Sequence, residues 1–369
     1  MEFDIFFSIC QTEVDGYLPD EATMFRNFFE QVQLADDLGF GTAWVAESHL
    51  STEVQKGNPG AVIPHFVGEI GLNTDILQLA HRIFARTKQI GVGSAILNIL
   101  CNGGPIAHAE RIKTFLALHG LDPNERRLLT IGFASGRFPF INIPYGIVPR
   151  DEFEKANWNA VKNKIFEEAT EIFLRLLKGE TLSSDMITPR FIGESRVAPR
   201  WVFPKLKIVP QESRMDLLRL SIGSHDPAVQ MFANTILPVG VFNLSITPGD
   251  EIEKTNERMK SQYQGEWQRR LMPRTVLVFI ADDPAQAAEE ARNALSNYWR
   301  ALEGTLDEEK VRRATNNALV GNAEQILAQV RERFHPDDRL MLWFDFNNHD
   351  SKRVMKNMSD FMTKVVPHV

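Results

Sequence analysis

Short apolar runs alternate along this chain with longer stretches in which apolar positions recur every three or four residues. The runs FDIFFSI (3–9), TAWVAE (42–47), IGVGSAIL (90–97), LLTIGFA (128–134), LLRLSI (217–222), LPVGVF (237–242), TVLVFIA (275–281) and RLMLWFDF (339–346) predict interior strands. Each is too short for a helix, and most carry β-branched or aromatic residues. Between them, residues 22–40, 75–88, 105–120, 154–179, 226–235, 249–268, 284–302, 323–334 and 351–365 have helical spacing. Pro105 in a first turn and Gly120 just past an end fit the usual asymmetry of helix termini.

Eight strands, each followed by at least one helix, predict an α/β fold with a parallel sheet. Eight such units favour a closed (β/α)8 TIM barrel over an open doubly wound sheet. Residues 180–215 are rich in Pro, Arg and Ser and hold no period, so they predict an insertion or lid after the fourth strand–helix unit. The whole chain, 1–369, then reads as one domain.

Composition narrows the function. A hydrophobic fraction of 43 % with 24 % charged residues belongs to an ordinary globular protein. A net charge of −7 argues against nucleic acid or an anionic membrane as partner. No apolar stretch reaches membrane-spanning length, and the N-terminus lacks the basic residues of a signal peptide. Cys10 and Cys101 are too few and too distant for a disulfide framework, so a reducing cytoplasm is expected. The nine histidines show no ligand spacing with each other or with cysteine, and no metal site is expected. GxGxxG, Walker and GxSxG motifs are missing.

The ends of the predicted strands are polar. Ser8 closes the first, Glu47, Ser48 and His49 the second; Ser94 lies in the third, with Asn98 just after it. The fourth runs into Ser135, Gly136 and Arg137, and the fifth into Gly223, Ser224 and His225. In a (β/α)8 barrel this carboxyl face holds the active site. Asp226 and Pro227 read as the cap and first residue of a helix, and a helix start behind Gly223–His225 is a ready anion site.

The order of WVAESH, GVGSAIL, GGPIAHAERIKTF and RRLLTIGFASG, followed by VPQESRMDLLRLSIGSHDPAVQMFA, FIADDPAQAAEEA and LVGNAEQILAQV, resembles the bacterial luciferase-like flavin monooxygenases over nearly the whole chain. The resemblance implies a barrel that takes reduced FMN from a separate flavin reductase. It implies reaction with dioxygen through a carbon-4a peroxide, and oxygenation of a small organic substrate. A deazaflavin-dependent oxidoreductase and a non-catalytic flavin-binding or partner subunit are the alternatives.

By the same resemblance, Ser8, Ser94, Ala95, Ala134, Ser135, Gly136, Arg137 and Gly223 line the cofactor, and Ser224 with His225 hold its phosphate. The family's strained non-prolyl cis peptide would fall at Ser94–Ala95. Ser48 stands where relatives often keep a first histidine, and Ser135 where they often keep an arginine. His49 is therefore the candidate base, with Glu47 as a carboxylate that orients neighbouring groups and Ser48 as a hydrogen-bond partner of substrate or water. Relatives dimerise, and apolar stripes at Ile76, Leu79, Ala80 and Ile83 and at Ile112, Phe115 and Leu116 predict a homodimer or luciferase-like heterodimer.

Overall fold

The computed structural model describes residues 1–58, 61, 63–303 and 308–369. Nine strands carry the framework: β1 (Glu2–Phe7), β2 (Thr42–Val45), β3 (Gly91–Asn98), β4 (Leu129–Ala134), β5 (Leu218–Ile222), β6 (Gly240–Val241), β7 (Arg274–Ile280), β8 (Leu319–Gly321) and β9 (Arg339–Trp343). All eight strands expected from the sequence are present. The additional one, β8, is three residues long and too short to leave a pattern.

The chain forms two compact units. The first comprises Met1–Ala95, Val241–Ser261 and Trp267–Val369; the second comprises Ile96–Gly240 and Gln262–Glu266. In the first unit the strand order is β3-β2-β1-β9-β7-β8. All these pairs are parallel, with Phe6 opposite both Trp44 and Trp343, and Val45 opposite Ser94. In the second unit β4 and β5 pair in parallel from Leu129↔Leu218 to Phe133↔Ile222. Residues 180–215 contribute a small antiparallel hairpin, Arg190–Ile192 with Ser195–Val197.

The helices start and stop where side-chain chemistry dictates. Asp20 caps α1 (Glu21–Leu38) by accepting from the Thr23 N–H, and Gly39 ends it at φ 85°, a left-handed conformation that favours glycine. Asp75 caps α2 (Ile76–Phe84) through the Leu77 and Gln78 N–H groups. The next helix, α3, spans Gly104–His119 and ends at Gly120. Ile76, Ala80, Ile83, Ile112, Phe115 and Leu116 are buried within the chain. Apart from the half-buried Leu79, the two apolar stripes are thus used by packing within the chain.

The amino-terminal half of the first unit's sheet is built around one buried charge. Asp4 accepts from the Trp44 indole at 2.7 Å and from Arg339 Nε at 2.5 Å and Nη2 at 3.0 Å. The same guanidinium donates to Thr42 Oγ1 at 2.7 Å. A side chain on Gly93 would lie 2.5 Å from the Trp44 ring, so only glycine lets the indole reach Asp4.

Candidate active site

At the carboxyl end of β2 the chain turns polar while still buried. His49 is 6 % exposed, and its Nε2 lies 3.1 Å from Glu47 Oε1. The other carboxylate oxygen faces the Ile76 N–H at 3.4 Å, at the amino terminus of α2. Burial pushes the Glu47 carboxyl up, against the pull of His49 and that N–H. When Glu47 is ionised it holds the imidazole with the proton on Nε2, which puts the basic lone pair on Nδ1. The structure thus brings these two side chains together as a candidate pair.

Ser48 and Ser94 are different. Ser48 is 8 % exposed and Ser94 fully buried, and neither hydroxyl has a hydrogen-bond partner among the described residues. Unpaired buried hydroxyls cost folding free energy, so native proteins keep few of them. The Ser48 backbone is fixed by Asn73, whose carbonyl accepts from the Ser48 N–H at 2.9 Å while its amide donates to the Ala46 carbonyl at 3.0 Å. A Cβ on Gly71 would stand 3.3 Å from Ser48 Cβ and 3.6 Å from the Ser8 carbonyl. The strap at Gly71–Asn73 thus lies against the ends of both β1 and β2.

Three residues just past the ends of adjacent strands hold left-handed backbone without being glycine: Ile9 (φ 44°) after β1, Leu50 (φ 64°) after β2 and Asn347 (φ 47°) after β9. Such strain persists where the surroundings over-determine it, and it collects at functional sites. The Ser94–Ala95 peptide is not cis, contrary to the expectation; the cis bond among the described residues is Val209–Pro210. The parallel ladder between β2 and β3 runs from Thr42↔Gly91 to Val45↔Ser94, where it ends.

One group at this edge was not singled out from the sequence. Asp345, two residues beyond β9, lies near the donor groups of Ser8 and Trp343, and the Trp343 indole N–H and Asp345 Oδ1 are both left without a hydrogen-bond partner among the described residues. Burial raises its carboxyl to about 7, and those donors only partly offset the rise. The residue keeps some exposed surface, but Oδ1 itself is sealed and completes no hydrogen bond among the described residues. Beside it, burial pushes the Cys10 thiol up to about 12, so it stays protonated.

In the second unit, the turn after β4 is laced by two asparagines. Asn98 donates to Asn142 Oδ1 at 2.7 Å, and Asn142 donates to the Ser135 carbonyl at 2.9 Å. Gly136 sits at φ 78°, and a Cβ there would fall 2.2 Å from Asn98 Nδ2. Ala134, Ser135 and Gly136 are partly exposed, and Arg137 is exposed with its guanidinium 5.4 Å over the Phe138 ring.

A Cβ on Gly223 would meet Ile96 Cδ1 at 2.6 Å and Ala134 Cβ at 3.3 Å, so glycine brings this turn against the end of β4. The helix α4 (Pro227–Ile236) begins as expected, with Asp226 as cap and Pro227 first. At the expected anion site, part of the hydrogen-bonding capacity is used within the turn itself. Asp226 Oδ1 already takes the Ala228 N–H, and Ser224 Oγ takes the Asp226 N–H at 3.3 Å. His225 is exposed.

The first unit's predicted residues gather at one strand edge, and the second unit's at two glycine turns. Among the described residues, no group of three His, Cys, Asp or Glu side chains could hold a metal ion, and no helix is long and apolar enough to cross a membrane.

Residues 1–339 match the family model described as luciferase-like monooxygenase. The monooxygenase RslO1 from Streptomyces bottropensis is 18 % identical with a TM-score of 0.73, covering 100 % of this chain and 99 % of that one. The oxygenating constituent of 3,6-diketocamphane monooxygenase from Pseudomonas putida, solved in complex with FMN, is 14 % identical with a TM-score of 0.62, covering 100 % and 99 %. An F420-dependent secondary alcohol dehydrogenase, in complex with an F420-acetone adduct, is 14 % identical with a TM-score of 0.57, covering 99 % and 98 %. The uncharacterized protein y4vJ of Sinorhizobium fredii is 26 % identical over 178 residues, 48 % of this chain and 40 % of that protein, so the match spans less than half of that relative's length. These likenesses bear out the expected luciferase-like α/β fold. With the family model covering residues 1–339, the chain belongs to the luciferase-like monooxygenase family.

Proposed function

We propose that this protein is a monooxygenase that works on reduced FMN, received from a separate reductase, with dioxygen and a small organic substrate. The observation that carries the reading is the carboxyl edge of the first unit's sheet. There a buried imidazole–carboxylate pair, two unpaired buried hydroxyls and three strained residues occur together. Unsatisfied donors and acceptors of that kind suit the polar rim of an isoalloxazine ring, which offers both. When bound, reduced flavin supplies the electrons that activate dioxygen, chemistry no side chain can provide.

The chain's own residues would do the rest. His49 holds or accepts a proton, and Glu47 keeps its tautomer fixed. Ser48 and Ser94 gain partners that the protein leaves open. The family resemblance gives the phosphate to Ser224 and His225, and Ser224→Ala is expected to weaken reduced-FMN affinity more than it slows turnover.

A second reading, hydride transfer with a deazaflavin, is favoured by the likeness to the F420-dependent alcohol dehydrogenase. Anaerobic titration with reduced FMN and with reduced deazaflavin, followed by admission of air, separates the readings. Tight reduced-FMN binding with substrate-dependent oxygen uptake is expected. Preference for the deazaflavin with no oxygen uptake would favour the second reading. Flavin binding without turnover on any substrate would leave a binding or partner subunit.

A further inference from the structure

Away from the strand edge, the first unit carries a second concave surface. An open groove of about 1040 Å³ runs between α1 and α2. Helical spacing sets its walls. Arg26, Phe29 and Gln33 follow one another at i, i+3 and i+7 along α1, and Leu79, Arg82 and Arg86 repeat that interval from α2 into the turn that ends it. A stripe of that period is the surface one helix offers another. Here two such stripes line one groove.

The groove is cationic in an acidic chain. The sequence holds 48 acidic residues against 41 lysines and arginines. Even so, Arg26, Arg82 and Arg86 form no salt bridge among the described residues. Arg26 donates to the Thr23 hydroxyl at 2.9 Å. Arg82 and Arg86 both stand over the buried Phe29 ring, 5.1 and 4.7 Å from its centroid. Stacking uses the flat face of a guanidinium and leaves its N–H edge free to meet carboxylates. Of the two acids in the groove, Asp75 caps α2, and Glu30 is exposed and pairs with none of the three arginines.

We propose that this groove docks an amphipathic helix of a second protein, its apolar side against Phe29 and Leu79 and its carboxylates on Arg26, Arg82 and Arg86. Size favours a helix, because two turns about 11 Å across and about 11 Å long occupy roughly the volume of the groove. A small anion fills only a fraction of it. Charge favours a different protein, because two copies of this chain meeting groove to groove would set arginines against arginines. One end of the groove is formed by Asn73, which also holds the Ser48 backbone, so a docked helix reaches the strap beside the candidate site.

The test needs no cofactor. Fluorescence anisotropy of the full chain is measured with a labelled helical peptide of about 18 residues, long enough to hold some helix in water. It carries leucines at helical spacing with glutamates beside them, and a twin peptide has lysines in place of the glutamates. The glutamate peptide is expected to bind at least about tenfold more tightly than its twin, and less tightly as salt rises. Arg82→Glu and Arg86→Glu should each lower that affinity about fivefold or more. Lys352→Glu, which reverses an exposed charge outside the groove, should leave it unchanged. All three positions are exposed, so melting temperatures should stay at the wild-type value and a lost affinity reads as lost docking. Absence of binding, equal affinity for the two peptides, or indifference to both arginine reversals overturns the proposal. Inorganic pyrophosphate bound through these arginines while the glutamate peptide fails to bind would make the groove a small-anion site, and overturns it as well. A wild-type dimer in sedimentation equilibrium that Arg82→Glu dissociates would give the groove to a second copy, with the same consequence.

Discussion

The two ends of the first unit's sheet solve opposite problems. At the amino end a buried carboxylate, Asp4, has every strong partner it can use: the Trp44 indole, two nitrogens of Arg339, and Thr42 sharing that guanidinium. At the carboxyl end, Ser48 Oγ, Ser94 Oγ and Asp345 Oδ1 are buried without partners, beside backbone strained at Ile9, Leu50 and Asn347. Both ends are buried and polar, so burial alone does not distinguish them. The difference is satisfaction. The Asp4 cluster is consumed by the fold, whereas the hydroxyls of Ser48 and Ser94 are left without partners. This is the division expected in a (β/α)8 protein, with stability built at the amino ends of the strands and chemistry at the carboxyl ends.

The largest effects should separate along that line. Asp4→Ala leaves the Trp44 N–H without a partner and takes from Arg339 its buried carboxylate, leaving it Thr42 and Glu2, which should cost about 3–5 kcal/mol of stability in denaturant unfolding. Cofactor affinity per folded molecule should not change. His49→Ala should do the reverse: reduced-FMN affinity within about threefold of wild type, and turnover lower by roughly two to four orders of magnitude, the worth of a positioned acid–base group. If Asp4→Ala abolished cofactor binding in molecules that remain folded, the division between the ends would be wrong. Full activity in His49→Ala would move the base elsewhere.

Part of this contrast was legible in the sequence. An apolar run that ends in Glu47, Ser48 and His49 marks a strand delivering ionisable groups to an edge, and the pairing at 3.1 Å follows from that spacing. What Gly93, Gly136 and Gly223 pack against was not readable, because Trp44, Asn98 and Ile96 come from other strands or their ends. Asp345 was hidden for a different reason. It falls inside the apolar stretch RLMLWFDF, where an acid reads as an interruption. Satisfaction was not legible at all. Nothing in the letters says that Asp4 is fully partnered and Ser94 is not, since that depends on residues distant in sequence.

An intermediate effect is expected at Asp345, with a sign fixed by its raised carboxyl. An unfolded aspartate loses its proton near pH 4, and the folded one holds it to about 7. Between those values the native state binds more protons than the unfolded one, so its stability falls as pH rises, and the full penalty is present above pH 7. Asp345→Asn removes the titration. The variant should match wild type near pH 4 and be more stable by roughly 2–4 kcal/mol at pH 8, as judged by denaturant midpoints. A constant gap across the range would mean that Asp345 ionises normally and that the two ends do not differ in this respect.

The smallest effect is the most telling. Ser48→Ala removes a buried hydroxyl, and in most cores such a change breaks a hydrogen bond worth about 1 kcal/mol. Here the hydroxyl has no partner among the described residues, and the backbone contacts with Asn73 that fix residue 48 do not involve the side chain. Stability should therefore stay within about 0.5 kcal/mol of wild type, or rise slightly because an unpaired polar atom is gone. Affinity for reduced FMN should fall several-fold if the hydroxyl is reserved for the ligand. Calorimetry of the ligand-free protein and an anaerobic titration test the two halves separately. A loss of stability with unchanged affinity would put Ser48 among the groups that serve the fold, and would place the chemistry of this edge in the Glu47–His49 pair and Ser94 alone.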